Sequence, residues 1–554
     1  MRAANVAWNA AAPRAVFGRL AATLVVALAA ASAAPAPARA ELREIESRDF
    51  RLVYYAPTLS YLAPYAVRCY ANSMRFHGDL FSYRPGERTT VYLGDGMDYG
   101  NAGVSGAPRT MLAMDVAPAN FVYESGPSNE RMNFTMNHEG VHIVAVDQTA
   151  GSDRFFRAIL GGKVRETNEF PETMIYSWLT LPRRAAPRWY HEGVAVFFET
   201  WMAGGLGRAQ GPYDEMVFRS MVRDGARIYD PLGLESEGTK VDFQVGVNSY
   251  LYGTRFVSYL AKTYGPETIV AWVGRRPGTA RTVSAQFRRV FGKSLDEGWA
   301  EWIAWERGFQ QANLDSLRRY PGTAYRDLSP RALGSVSRAL LDRERGALYA
   351  GVQYPGAFGH VAAIPLAGGE PRRLCDVKGA ALYFVTSLAG DPRTGTLYYT
   401  EDNSAWRDLR ALDLDSGKSR LLQKDIRVGD LAWNPADSSL WGVRHFNGIS
   451  TLVRIPPPYD DWYRVMSLPY GQDLYDLDFS PGGERLAGSF AEVNGRQTLR
   501  LMEPARLLER DTTAVTLHDF GASIPTGFVF SGDGRYLYGS SYYTGVSNVW
   551  RYDL

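Results

Sequence analysis

The sequence is poor in cysteine, with Cys69 and Cys375 as its two examples in 554 residues. The two lie far apart in the chain, and exported proteins that depend on disulfides usually carry more cysteines than this. We therefore interpret both as buried free thiols rather than as a bridge or a metal-binding pair. A small disulfide-stabilised scaffold is excluded.

The sequence also lacks a clear excess of either positive or negative charge. The formal net charge is +2, but residues 1–40 carry four arginines and no acid, so the remainder of the chain has a net charge of −2. No block of lysine and arginine stands out along the sequence. A near-neutral chain of this kind gives no reason to expect a nucleic-acid partner or a lipid-binding basic patch.

Long apolar runs are absent except near the N-terminus. Three arginines precede the apolar residues 20–34, and Ala38-Arg39-Ala40 is a small-x-small cleavage signature. This pattern predicts a signal peptide over residues 1–40 and export to the periplasm or beyond the cell. An uncleaved anchor is the alternative, but the run is shorter than the roughly 20 residues of a spanning helix. No later segment predicts a transmembrane span in the mature chain.

Histidine is rare as well, yet two of the seven stand in His138-Glu139-x-x-His142. The surrounding run, 130–146, repeats its apolar residues at helical spacing, with Ser128 as a predicted N-cap. On a helix, the two histidines lie one turn apart on one face and can reach a single metal ion, and Glu139 can reach water on that ion. This predicts the core of a zinc hydrolase. The alternative is a helix that packs one histidine and exposes the other.

A zinc hydrolase needs a third protein ligand. About twenty residues after His142 the chain has Gly161 and Gly162, which cannot serve. A second amphipathic segment, 187–200, contains Trp189-x-x-Glu192-Gly193-x-Ala195. With the preceding His-Glu-x-x-His, this pattern resembles the gluzincin peptidases of the thermolysin-like clan, particularly their bacterial MA-like members. The resemblance implies that Glu192 is the third ligand of Zn²⁺ and that Glu139 is the general base.

Other side chains compete with Glu192. His191 would complete a three-histidine site, but one residue along a helix turns the side chain by about 100°, so the two neighbours cannot face the metal equally. Glu199 follows two turns later and stays an alternative. Three acids of the connection 147–187 are interpreted as solvated loop charges: Glu166, Glu169 and Glu172.

The resemblance also implies an α+β fold for residues 41–325, with a small α/β lobe before a mostly helical lobe. Alternating and helical patterns predict a strand at 50–55, a helix at 62–80, and strands at 89–93 and 110–115. By resemblance, one strand lines the cleft and pairs with the substrate backbone, and 110–116 is the candidate. An ordinary sheet edge is the alternative.

Two further roles follow from the resemblance. Tyr250 is a candidate hydrogen-bond donor to the oxyanion, with Tyr252 as its rival and core packing as the alternative for both. Many gluzincins place an aspartate one turn after the third ligand to orient a zinc histidine. Ala195 and Val196 occupy that offset here. Asp147 is the nearest substitute.

The C-terminal region, 326–554, has a different pattern. The same turn and strand recur five times, around leucines 49, 43, 46 and 51 residues apart: Leu348, Leu397, Leu440, Leu486 and Leu537. Repeats of this length, made of strands and turns, indicate an all-β propeller of about five blades that resembles the TolB or WD40-like type. The fifth repeat is incomplete at Leu554. Either the sequence is truncated within a longer propeller, which we favour, or residues 325–328 supply the missing strand.

These patterns predict a multidomain, exported zinc metallopeptidase that hydrolyses peptide or protein substrates, with a propeller that can bind a protein partner. The second hypothesis is an interaction protein whose peptidase-like domain is not catalytic, although an intact Glu139 argues against a purely structural metal site. An aminopeptidase is ranked below an endopeptidase, because no Gly-x-Met-Glu-Asn-type stretch for gripping an amino terminus is found.

Overall fold

The structure, a computed structural model, describes residues 41–98, 100–118, 130–235, 247–354, 356–379, 387–403 and 406–554. The predicted signal peptide and the predicted N-cap Ser128 lie outside these residues. No helix within the described ranges combines the length and the apolarity that crossing a bilayer requires.

The described residues begin with a mixed five-stranded sheet in the order β1-β2-β3-β5-β4. Its strands are β1 Glu41–Glu46, β2 Phe50–Ala56, β3 Thr89–Gly94, β4 Ala102–Ser105 and β5 Met111–Asp115. In β2, buried and more exposed side chains alternate, as a sheet with one face on a core requires. The predicted strand at 110–115 is present as β5, but the prediction that it pairs with the substrate backbone and the alternative of an ordinary sheet edge are both wrong, because both of its edges are paired within the sheet. β5 lies between β3 and β4, and β4 is the edge strand on that side.

Two long helices pack against the α/β lobe, α1 Ala63–Phe81 and α2 Arg131–Asp147. α2 carries the His-Glu-x-x-His motif, and its N-cap is Glu130, whose carboxylate accepts from the backbone N–H groups of residues 132 and 133. Gly140 lets the helices approach closely, because a Cβ there would stand 2.1 Å from the Ser73 hydroxyl. Cys69 on α1 is a buried free thiol, and Cys375 is a half-buried one.

The rest of the region before the propeller is mostly helical. Its helices are α3 Gly151–Ile159, α4 Thr173–Thr180, α5 Arg188–Met202, α6 Pro212–Arg223, α7 Pro231–Glu235, α8 Val247–Tyr264, α9 Pro266–Val273, α10 Val283–Phe291 and α11 Leu295–Leu317. The predicted connection 147–187 therefore contains two short helices, α3 and α4. The core is aromatic, with Trp189, Trp272, Trp299 and Trp302 fully buried.

Helices α5 and α8 cross with almost no space between their backbones. A Cβ on Gly193 would lie 2.3 Å from the backbone of Gly253, and a Cβ on Gly253 would lie 2.0 Å from the Trp189 carbonyl oxygen. Any larger side chain at either position forces the helices apart. This contact determines how the first turns of α5, which contain Glu192, stand relative to α8.

Five sheets form a propeller in the C-terminal part of the chain. The first sheet contains β6 Ser335–Val336, β7 Leu340–Asp342, β8 Ala347–Gln353, β9 His360–Pro365 and β10 Arg372–Asp376, and the second contains β11 Leu388–Asp391, β12 Thr396–Asp402, β13 Arg407–Asp413 and β14 Ser419–Gln423. The third contains β15 Val428–Trp433, β16 Leu440–Phe446, β17 Ile449–Ile455 and β18 Tyr463–Ser467, and the fourth contains β19 Asp473–Phe479, β20 Leu486–Ala491, β21 Gln497–Met502 and β22 Ala514–Asp519. The fifth contains β23 Pro525–Phe530, β24 Tyr536–Ser541 and β25 Asn548–Asp553. A short helix, α12 Pro504–Leu508, precedes β22.

The predicted repeat matches these sheets. Its five leucines lie in β8, β12, β16, β20 and β24, which occupy the same position in successive sheets. Residues 325–328 do not complete the fifth sheet. The Leu328 carbonyl accepts from Gly369 N and Arg326 donates to the Leu366 carbonyl, so this segment lies against the first sheet.

The propeller is joined to the α/β lobe by a buried ion-pair cluster. Arg427, which precedes β15, places Nε 2.6 Å from Asp98 and both Nη atoms 2.8 Å from Asp95. The backbone N–H of Arg407 also donates to Asp98, at 2.7 Å, and that of Asn447 donates to Asp95, at 2.9 Å. Two blades thus contact one loop of the lobe.

Candidate metal site

Three predicted ligands converge where α2 and α5 face each other. The Nε2 atoms of His138 and His142 are 3.1 Å apart, and Glu192 Oε2 lies 3.3 Å from the first and 3.4 Å from the second. Among the described residues, these three form the group of histidine, cysteine and acidic side chains whose ligand atoms lie close enough to one another to hold one metal ion.

The spacing of these atoms fits a small tetrahedral ion. Ligand atoms about 2.0–2.1 Å from one tetrahedral zinc would lie roughly 3.3–3.4 Å apart, close to the separations observed. Two imidazoles and a carboxylate are also a donor set that zinc accepts, and a fourth position would stay open. The residues present therefore fit zinc.

Glu139 stands beside the ligands without being one of them. Its side chain is buried, and its Oε2 atom has no hydrogen-bond partner within the described parts of the chain. Burial raises the pKa of the Glu139 carboxyl, while the histidines on either side act in the opposite direction. A buried carboxylate with an unpartnered oxygen suits proton transfer, because a raised pKa brings the carboxylate closer to the working pH.

The competing ligands lie elsewhere. The ring of His191 is centred 6.3 Å from that of His142, and His191 is not part of the three-residue group. Glu166 is exposed and paired with Arg184 at 2.7 Å, and the two remaining acids of the connection are exposed as well.

Glu199, the alternative third ligand, lies beside His138 and is not one of the three converging residues. Its Oε2 lies 2.6 Å from His138 Nδ1, on the ring edge opposite the metal-facing nitrogen. Arg208 holds this carboxylate with two hydrogen bonds of 2.8 Å. Burial opposes ionisation of Glu199, but Arg208 and His138 outweigh it and lower the pKa of its carboxyl. Glu199 thus orients His138 and favours the tautomer with a free Nε2.

The prediction that Asp147 performs this task is wrong. Its Oδ1 atom lies 3.1 Å from Lys163 Nζ and 3.2 Å from Arg157, and its Oδ2 accepts from the Tyr83 hydroxyl. Sequence reasoning missed Glu199 and Arg208 as partners of His138. A signal was available, because Glu199 follows Glu192 by seven residues and so lies on nearly the same face of α5.

The two candidate tyrosines, Tyr250 and Tyr252, lie in different surroundings. The ring of Tyr250 stacks on His138, with centroids 6.1 Å apart, and lies under the guanidinium groups of Arg188 and Arg208. The hydroxyl of Tyr252 instead accepts from the backbone of Tyr229, inside the aromatic core. Of the two, Tyr250 is the one beside the metal ligands.

We expect Glu199→Gln to weaken zinc binding by about 10- to 100-fold, because a neutral amide supports the His138 imidazole less strongly than a carboxylate does. The measurement is a zinc titration in competition with a chelating dye. The matched control is Glu306→Gln, which removes the charge from another buried glutamate held by an arginine, Arg255, at 2.7 Å. Equal zinc affinities in the two variants would contradict the role of Glu199.

Comparisons with known proteins give little on activity. No family model and no curated protein matches the chain. The putative TolB from Agrobacterium tumefaciens is 14% identical over 35% of this chain and 69% of its own, with a TM-score of 0.30. TolB from Acinetobacter baumannii is 14% identical over 46% and 56%, at 0.29, and the tricorn protease is 12% identical over 40% and 26%, at 0.30. Similarities of this size say nothing about chemistry, and the propeller is identified by its own five sheets.

Proposed function

We propose that this chain is a zinc-dependent metallopeptidase of gluzincin type, exported by the leader predicted at residues 1–40. The observation that carries the proposal is the convergence of His138, His142 and Glu192 beside the unpartnered oxygen of Glu139. A purely structural zinc site has no need of such a base, which favours catalysis over a scaffold role.

His138, His142 and Glu192 would hold the ion, and Glu199 would orient His138 from behind. When bound, zinc supplies Lewis acidity that acidifies water and polarises a carbonyl oxygen. Glu139 accepts a proton from the attacking water at its free oxygen and then delivers it to the leaving amine. We propose Tyr250, next to His138, as a hydrogen-bond donor to the oxygen that develops negative charge.

The substrate class that we propose is peptide or protein, with the propeller as a surface for the substrate or a protein partner. The propeller is attached to the α/β lobe through Arg427, and helix α2, which carries two of the metal ligands, packs against the same lobe. A molecule bound to the blades would therefore be held in a fixed position relative to the metal site, which supports this role.

The test is zinc content by plasma mass spectrometry together with cleavage of unstructured casein. We expect about one zinc per purified mature chain and proteolysis that a chelator abolishes. His142→Gln should lose both, whereas His518→Gln, in the fourth blade, should keep both. Zinc-free wild-type protein would overturn the proposal, and zinc-loaded protein that cleaves no peptide would favour the scaffold hypothesis.

A further inference from the structure

Arg188 stands one helical turn before the candidate ligand Glu192, on the same face of α5. Its Nε atom lies 3.8 Å from Oε1 of Glu192, whereas Oε2 of Glu192 faces the two histidines. Successive residues of an extended peptide are about 3.3 Å apart, so the guanidinium lies roughly one or two residues of peptide length from the candidate ligands. Arg188 is therefore close enough to contact a substrate chain next to the bond that is cleaved.

The guanidinium of Arg188 is open to a ligand. Its side chain is 55% exposed, and a separation of 3.8 Å from Glu192 is too long for a hydrogen bond. It forms no hydrogen bond with any residue in the described ranges of the chain. Arg208, the second guanidinium beside Tyr250, is buried and donates to Glu199. Of these two arginines, Arg188 is the one whose N–H groups are available to a substrate.

The ring of Tyr250 relates Arg188 to the reacting groups. The Cζ atom of Arg188 lies 5.9 Å from the centre of this ring, and the opposite neighbour of the ring is His138, on which it stacks. Tyr250 is the proposed donor to the oxygen that develops negative charge. A substrate carbonyl placed beside Tyr250 would therefore leave the adjoining part of the same peptide beside Arg188.

The charges at the site favour a negatively charged ligand. Three carboxylates lie together, those of Glu139, Glu192 and Glu199. Two guanidinium groups, Arg188 and Arg208, oppose them, together with a divalent ion when zinc is bound. One positive charge is then left in excess, and Arg188 carries positive charge on the exposed side of the site, where it can attract an anion.

We infer that Arg188 is a specificity-determining residue that binds a carboxylate of the substrate next to the cleaved bond, which rests on the proposed peptidase function. The planar fork of a guanidinium matches the two oxygens of a carboxylate. A peptide offers this group from two sources, an aspartate or glutamate side chain and the free C-terminus. The first source corresponds to an endopeptidase that prefers acidic residues, and the second to a carboxypeptidase.

The first test compares peptides of one casein-derived, neutral sequence. One has an amidated C-terminus, a second series is amidated and carries a single glutamate at successive positions around the cleaved bond, and a third has a free C-terminus. We expect kcat/KM to be about tenfold higher for the peptides whose carboxylate reaches Arg188, the size typical of a hydrogen bond to a charged group. The preferred peptide identifies the source of the carboxylate. Equal kcat/KM for all of them would overturn the assignment.

Arg188→Gln should remove this preference and keep the full zinc content. Arg188→Lys should keep part of it, because lysine retains the charge without the planar fork. The matched control is Arg318→Gln, since Arg318 is also exposed, at 59%, and is paired with an acid one turn away, Asp315, at 3.4 Å. This control should prefer the same peptides as the wild type. Loss of zinc from Arg188→Gln would show that Arg188 acts through Glu192, and it would overturn a role in substrate binding.

A binding measurement separates the role of Arg188 from the peptidase activity itself. The same peptides are titrated calorimetrically into zinc-loaded Glu139→Gln and into the double variant Glu139→Gln/Arg188→Gln. The preferred carboxylate peptide should bind about tenfold more weakly to the double variant. Equal affinities would overturn the inference. If the wild type cleaves no peptide, the proposed function fails, and the difference in affinity still decides whether Arg188 binds a carboxylate.

Discussion

Glu139→Gln is expected to keep its full zinc content and to lower kcat/KM by about a thousandfold. Glutamine has nearly the same shape as glutamate, and Glu139 is not among the three converging ligands, so metal binding should persist. The amide cannot accept a proton from water at neutral pH. General-base catalysis contributes about 10²- to 10⁴-fold, which sets the size of the loss. The measurement pairs plasma mass spectrometry with cleavage of a fluorogenic peptide.

Glu192→Gln is the matched control, because the same chemical change at the third ligand should have the opposite pattern. Replacing a carboxylate by an amide removes a negative charge from the metal site, so this variant should be purified with little zinc. Activity within tenfold of wild type in Glu139→Gln would show that Glu139 is not the base. Full zinc occupancy in Glu192→Gln would show that another side chain supplies the third ligand.

Arg427→Met is expected to destabilise the native protein by about 3–5 kcal/mol, because it leaves the buried Asp98 and the half-buried Asp95 without their cation. Asp98 is 3% exposed and cannot recover its hydration without separation of the α/β lobe from the propeller. The expected result is an earlier unfolding transition in urea and faster proteolysis at the junction between the two parts. Both can be followed on the same sample.

The control for Arg427 is Arg454→Met, in the same sheet. Arg454 pairs with Asp437 at 2.9 Å on a partly exposed surface, where an ion pair contributes about 0–1 kcal/mol. If the two variants were equally stable, the cluster around Arg427 would contribute no more than a surface ion pair. Partial recovery on adding Asp95→Asn and Asp98→Asn to Arg427→Met would show that the uncompensated carboxylates cause the loss.

Local pattern in the sequence was sufficient to predict the helix that carries two of the candidate metal ligands. Four-residue spacing on a helix is enough to place His138 and His142 on one face, since the helical repeat alone determines it. Three strands of the small lobe, β2, β3 and β5, and the five turn-strand repeats of the propeller follow from alternation and turn residues in the same way, whereas β1 and β4 were not predicted. The choice of Glu192 came from a motif, and the structure places that side chain with the two histidines.

Other features depend on how separate elements pack, and no local pattern contains that information. Glu199 reaches His138 because α5 packs against α2 at a distance that a glutamate side chain can span. Asp147 is closer to His138 in sequence, but its side chain contacts Lys163 instead. The position of β5 inside its sheet is set by the pairing of β4, which helical or alternating periodicity does not predict.

The same reason applies to the arginine between the α/β lobe and the propeller. Arg427 meets Asp95 and Asp98 across more than 300 residues of chain. Its charge is ordinary in the sequence and becomes significant only when burial removes water from it. The sequence by itself determined which residues share a face, and tertiary packing decided which faces meet and which charges are left to be compensated.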